Sequence, residues 1–155
     1  MEAMPSSSKR LRVVVADHAL ARGRLKQVIC QQQDLEVVGE AQDGHEALDL
    51  CRHLRPEVVL IEARMPKMDG IEATRRIKVE FPSISVLVMN TLADPDQLLE
   101  ALKAGAAGYV LKRSGSQQIR DAVRGALLGE YPLDEELTMR LLRRLANKAP
   151  NGSSS

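Results

Sequence analysis

The sequence predicts an α/β fold: a doubly wound, five-stranded parallel sheet with an extra C-terminal helix. Three observations carry that expectation. Short apolar runs rich in β-branched residues alternate with segments whose apolar residues recur at helical spacing, five of each before the last helix. The third run, Val58-Val59-Leu60-Ile61, is unbroken and leads into a turn containing Pro66 and Gly70, the pattern of a central strand buried on both faces. Four of the runs hand over to polar residues at the end where an open parallel sheet holds its ligand crevice.

Residues 1–10 read as a short, Ser-rich polar lead. The first strand is Leu11–Ala16 and delivers Asp17 and His18. Ala21, Leu25, Val28 and Ile29 mark the helix that follows, with Arg22, Arg24 and Lys26 mostly off that stripe. Leu35–Gly39 makes the second strand. Asp43-Gly44 starts a helix whose face carries Ala47, Leu48, Cys51 and Leu54, and Pro56 stops it. After the central strand, Ile71, Thr74, Ile77 and Phe81 trace the third helix. Ile84–Met89 is the fourth strand, ending in Asn90 and Thr91. Asp94-Pro95 opens a helix with Leu98, Ala101, Leu102 and Gly105 inside, because Pro suits a first helical turn.

Gly108–Leu111 is the fifth strand, ending in Lys112. The helix after it carries Ile119, Ala122, Val123, Ala126 and Leu127 on one side, and Gly129 ends it. Asp134–Lys148 then repeats Leu137, Leu141 and Leu145 at four-residue intervals among basic residues, a docked or dimerising amphipathic helix. A domain is therefore expected over 11–130, a linker and amphipathic helix over 131–149, and a disordered tail over 150–155.

At 155 residues, 44% hydrophobic and 28% charged, the chain suits one compact domain with a tail. A net charge of +1 gives no electrostatic case for non-specific nucleic-acid binding. No apolar run is long enough to span a bilayer and the N-terminus lacks a signal peptide's apolar core, so the expected location is cytoplasmic, off the membrane. Cys30 and Cys51 fall on separate helical patterns without CxxC spacing, which predicts buried thiols rather than a disulfide or metal site. With no Trp, two Tyr and one Phe, the core must be aliphatic.

In a sheet ordered 2-1-3-4-5, the ends of strands one, three, four and five are neighbours. They bring Asp17, Glu62, Asn90 with Thr91, and Lys112 to one crevice. Such a set fits phosphoryl chemistry: carboxylates hold a divalent cation, a hydroxyl bonds a phosphoryl oxygen, and a lysine neutralises it. The same contacts also make a plain ion pair, Lys112 with Glu62 or Asp17, that closes the top of the sheet.

Four stretches carry a family resemblance: Ala16-Asp17-His18-Ala19-Leu20-Ala21-Arg22, Val37-Val38-Gly39-Glu40-Ala41, Arg64 to Ala73, and Ala104 to Lys112. From about Leu11 to Arg144 the chain resembles a response-regulator receiver domain, flavodoxin-like in fold, and more narrowly the NarL/FixJ (LuxR-type) subfamily of transcription regulators in two-component phosphorelays. Leu133 to Leu137 is similar to that subfamily's linker helix, which leads to a helix-turn-helix DNA-binding domain absent from these residues.

The resemblance implies a phosphorylation site made of an acidic pair after the first strand, an Asp after the third, a Ser or Thr after the fourth and a Lys after the fifth. In this sequence those positions are Ala16 and Asp17, Glu62, Asn90 and Lys112, so three of the five groups differ. Tyr109 matches the aromatic whose rotation accompanies activation in similar receivers, and the Arg64 carbonyl matches a backbone magnesium ligand. Mg²⁺ demands near-octahedral geometry, so losing the acid at Ala16 and pushing the oxygens of Glu62 out by a methylene leaves magnesium binding weak or absent. A misplacement of about 1 Å costs on the order of 100-fold in rate. Asn90 is expected to bond Glu62 or Thr91 rather than sense phosphate.

The expected function is a degenerate receiver, not an enzyme, acting through protein contacts without aspartyl phosphorylation. Glu62 either imitates a phosphorylated Asp, with half the charge, or locks the inactive state. Expected partners are a second copy, other regulatory proteins, and DNA only through the absent domain. Leu137, Leu141 and Leu145 are the self-association candidates, with the first and fifth helices.

The alternatives are a receiver still phosphorylated with magnesium, and a flavodoxin-like cofactor protein or phosphatase on the same fold. Asp17-His18-Ala19-Leu20 lacks the small residues of a phosphate-cradling turn, and neither GxxxxGK nor GxGxxG occurs. His18, His45 and His53 have no metal-ligand spacing.

Overall fold

The computed structural model describes residues 10–148. The lead at 1–9 and the tail at 150–155 lie outside them. Five strands alternate with helices: β1 (Leu11–Ala16), α1 (Ala19–Cys30), β2 (Leu35–Ala41), α2 (Gly44–Leu54), β3 (Val58–Glu62), α3 (Gly70–Glu80), β4 (Ser85–Asn90), α4 (Pro95–Lys103), β5 (Gly108–Leu111), α5 (Ser116–Leu128) and α6 (Glu135–Lys148). The sheet is parallel throughout, in the order β2-β1-β3-β4-β5.

Local chemistry sets the helix starts. Asp43 and Asp69 are extended N-cap residues whose carboxylates accept from the Glu46 and Glu72 amides, at 3.0 and 2.8 Å. Asp94 caps α4 just ahead of Pro95. Gly129 ends α5 at φ +76, where a Cβ would be strained.

β1, β3 and β4 are covered on both faces, so their runs are continuously aliphatic. One face packs against α2, α3 and α4, around Val59, Ile61, Ile77 and Leu98, and the other against α1 and α5, around Leu60, Ile29 and Val123. Fully buried, each such side chain contributes roughly 1.5–3 kcal/mol.

Several boundaries and faces differ from the sequence reading. β2 runs on to Ala41 rather than ending at Gly39, because a register shift between Val13 and Val14 carries its pairing to the Ala16–Ala41 rung. β4 starts at Ser85 and takes in Asn90, which pairs with Leu111, and Glu62 is itself the last residue of β3, opposite Met89. Gly105 lies beyond α4, exposed, at φ +101, whereas Leu102, half-buried, packs against the core as expected. Leu127 is 38% exposed, one position round the helix from Ala126. Cys30 likewise turns away from the stripe of Leu25 and Ile29 and is exposed. Cys51 is buried as expected, and burial pushes its thiol up to about 12.

The largest correction concerns the tail of the domain. Leu137 and Leu141 are buried in the chain's own core, so they are not available for self-association, and of that trio only Leu145 remains exposed. The stretch before α6 is not a free linker. The Tyr109 amide donates to the Pro132 carbonyl at 2.9 Å and the Asp134 amide donates to the Tyr109 carbonyl at 3.0 Å, so this segment pairs in parallel with the β5 edge.

Candidate functional site

Three charged side chains meet where β1, β3 and β5 end. Asp17 follows β1 directly and is fully buried, its backbone N–H held by the Ala41 carbonyl at 3.0 Å. Its Oδ1 accepts from the His18 amide at 2.7 Å. Glu62 is 4% exposed and its Oε2 accepts from the Arg64 amide at 3.0 Å. The Lys112 ammonium closes the set, 2.6 Å from Asp17 Oδ2 and 2.7 Å from Glu62 Oε1.

Backbone bonds fix these positions. Lys112 N–H donates to the Asn90 carbonyl at 2.9 Å, and Ala63 N–H to the Met89 carbonyl at 2.8 Å. Gly70 passes so close to β3 that a Cβ there would lie 2.0 Å from the Glu62 carbonyl oxygen, so only glycine lets the loop fold back over the strand end. Burial works against the charge on Lys112, but its hydrogen bonds to Asp17 and Glu62 outweigh that and raise its pKa above the ordinary 10.5. Two buried carboxylates against one ammonium leave the cluster with a formal charge of −1.

Asn90 sits next to this cluster but not in it. Its Nδ2 donates to the Tyr109 hydroxyl at 3.0 Å and its Oδ1 accepts from the Leu92 amide at 3.2 Å. The expected partners, Glu62 and Thr91, are both corrected: Thr91 is exposed, and the buried Tyr109 ring brings its hydroxyl to the amide first. Ala16 is buried with its methyl in the apolar layer of Val14 and Ala41. Arg64 contributes its amide, to Glu62.

A divalent cation does not fit this donor set. All four carboxylate oxygens are engaged, by Lys112, His18 and Arg64, and position 16 supplies no acid. Magnesium would have to displace the ammonium, with too few charged ligands for its octahedral shell.

The bridge from Pro132–Asp134 to Tyr109 was not foreseen, because the segment carries no alternating apolar pattern. The close approach of Gly70 had one signal, a Gly in the turn after the central strand.

A parallel sheet in this order, with carboxylates at the ends of β1 and β3 and a lysine at the end of β5, defines a signal-receiver module. The chain belongs to the response regulator receiver domain family, whose model matches residues 13–124. It is 37% identical over 139 residues to the transcriptional regulatory protein LiaR of Bacillus subtilis (strain 168), covering 90% of this chain and 66% of that protein. The chain thus spans slightly under two thirds of LiaR's length. The receiver domain of the putative response regulator NarL from Mycobacterium tuberculosis superposes with a TM-score of 0.75 at 35% identity, covering 78% of this chain and 98% of that one. RcsB of Salmonella typhimurium, described in connection with DNA interaction, gives a TM-score of 0.78 at 26% identity over 89% of this chain and 68% of that one. Among the described residues, no helix is long and apolar enough to cross a membrane.

Proposed function

We propose that this chain is a receiver that has exchanged phosphoryl chemistry for a fixed ion cluster and regulates transcription through protein contacts. The observation that carries the reading is the Lys112 ammonium, bonded at once to Asp17 and to Glu62. A phosphoryl group arriving at the β3 end would need that ammonium and a free carboxylate oxygen as nucleophile. Here both are committed, and Glu62 reaches a methylene further than an Asp.

Asn90 and Tyr109 support the same reading. A hydroxyl that would follow a phosphoryl oxygen is replaced by an amide, and the amide holds the Tyr109 ring in the core. The site then keeps one arrangement instead of switching between two. The partners are proteins, a second copy of this chain among them, and DNA contact belongs to a helix-turn-helix domain outside these residues.

The test is incubation with acetyl phosphate and magnesium followed by intact-mass measurement. No phosphoryl adduct is expected on the native chain, whereas the Ala16→Asp/Glu62→Asp variant gains one along with calorimetric magnesium binding. An adduct on native Glu62 or Asp17 overturns the proposal and restores a magnesium-dependent phosphorelay receiver.

A further inference from the structure

A cavity of about 660 Å³ lies between the start of α1 and the loop from β5 into α5. Its floor is apolar, formed by Leu25 and Val28 of α1, Met89 of β4 and Ile119 of α5. Arg24 and Arg113 line its mouth, with His18 beside them. Thr91, Ser114 and Ser116 add three hydroxyls. The size falls within the range of about 300–1,000 Å³ usual for small-molecule sites, which combine an apolar lining with a few placed polar groups.

The charge of this groove is one-sided. No carboxylate lines it. Several arginines elsewhere pair with acids, among them Arg22 with Glu40, Arg52 with Glu80 and Arg124 with Asp34. Arg24 and Arg113 are both exposed and have no acidic partner among the described residues. On a chain whose net charge is only +1, two unpaired guanidiniums over an apolar floor are a local excess that an anion would satisfy.

We infer that this groove is a binding site for a small organic anion, an apolar body seated on Met89 and Ile119 with a carboxylate or similar head between Arg24 and Arg113. Lys112 also lines the groove while bonding Asp17 and Glu62 from its other side. A bound anionic head would compete with those carboxylates for the ammonium. Occupancy would therefore reach the strand-end cluster without any phosphoryl transfer. That regulatory meaning rests on the function proposed above; the binding itself does not, since neither Asp17 nor Glu62 lines the groove.

The probe is 8-anilinonaphthalene-1-sulfonate, titrated by fluorescence against the full chain, with the uncharged N-phenyl-1-naphthylamine as its apolar counterpart and 2-naphthoate as a competing carboxylate. One sulfonate probe per chain is expected, displaced by 2-naphthoate and bound at least tenfold more tightly than the neutral probe. An Arg24→Glu/Arg113→Glu variant is expected to weaken the sulfonate by about tenfold or more, the loss of one charge-assisted hydrogen bond, while leaving the neutral probe and the circular dichroism unchanged. Binding that ignores the charge reversal, that is as strong for the neutral probe, or that resists 2-naphthoate overturns the inference, as does no binding at all. The phosphoryl test reads Glu62 and this one reads Arg24 and Arg113, so either reading can fail alone.

Discussion

Asn90 Nδ2 donates a hydrogen bond of 3.0 Å to the hydroxyl of Tyr109, across the β4–β5 pair and out of contact with water. Both residues are fully buried. The bond ties the residue at the end of β4 to the one large ring of the core, and it fixes the ring's orientation.

Removing the hydroxyl should therefore be costly. Tyr109→Phe leaves a buried amide donor without an acceptor, an expected loss of about 1–3 kcal/mol in urea denaturation. Combined with Asn90→Ala, the two losses should be less than additive, because the second change removes the group that the first one strands.

Lys112→Met tests the ion cluster. It keeps the side chain's bulk but leaves Asp17 and Glu62 buried together without a cation. Since the lysine is 20% exposed, the expected loss is about 3 kcal/mol, the low end of the range for breaking a buried pair. A loss of less than about 1 kcal/mol in urea denaturation would show that water already screens the pair.

Tyr109 also gives a pH signature. Burial raises its phenol to about 12, the Asn90 amide works the other way, and the charges of Asp94 and Glu62 add to the rise. In the unfolded chain a tyrosine ionises near 10. The native state thus favours the neutral phenol: its contribution to stability is complete below about pH 10 and is lost as the pH climbs through about 12. In a Tyr131→Phe variant, which leaves Tyr109 as the sole tyrosine, tyrosinate absorbance should appear only near pH 12, together with unfolding.

The leucines of α6 should separate cleanly. Leu141 is 5% exposed and Leu145 40% exposed, so Leu141→Ala is expected to cost about 2–5 kcal/mol in thermal or urea unfolding and Leu145→Ala less than about 0.5 kcal/mol. Equal effects would mean that α6 is docked through a different face.

Much of this fold was legible because its strands are aliphatic runs with no competing helical period. Val58–Ile61 and Val13–Val15 could hardly be anything else, and the strand order then placed Asp17, Glu62 and Lys112 together. What was not legible depends on rotamers and on segments meeting in space. Asn90 has several partners within a residue or two, and only the inward Tyr109 ring decides among them. Cys30 and Leu127 each sit one position past a buried residue, where a helical pattern read to within one residue cannot separate the faces. The groove of Arg24 and Arg113 is built from α1 and the β5–α5 loop, which sequence distance hides.

The pairing of Pro132–Asp134 with β5 also sets where the domain stops. The family model's match ends at residue 124, inside α5. A protein cut there would lose the last turn of that helix, bare the outer rim of the sheet and open the sockets of Leu137 and Leu141. Bared strand rims recruit other chains, so the expected result is a sticky, aggregating fragment. The packed unit is longer than the stretch the family model matches, and expression limits or domain swaps should be drawn after Lys148.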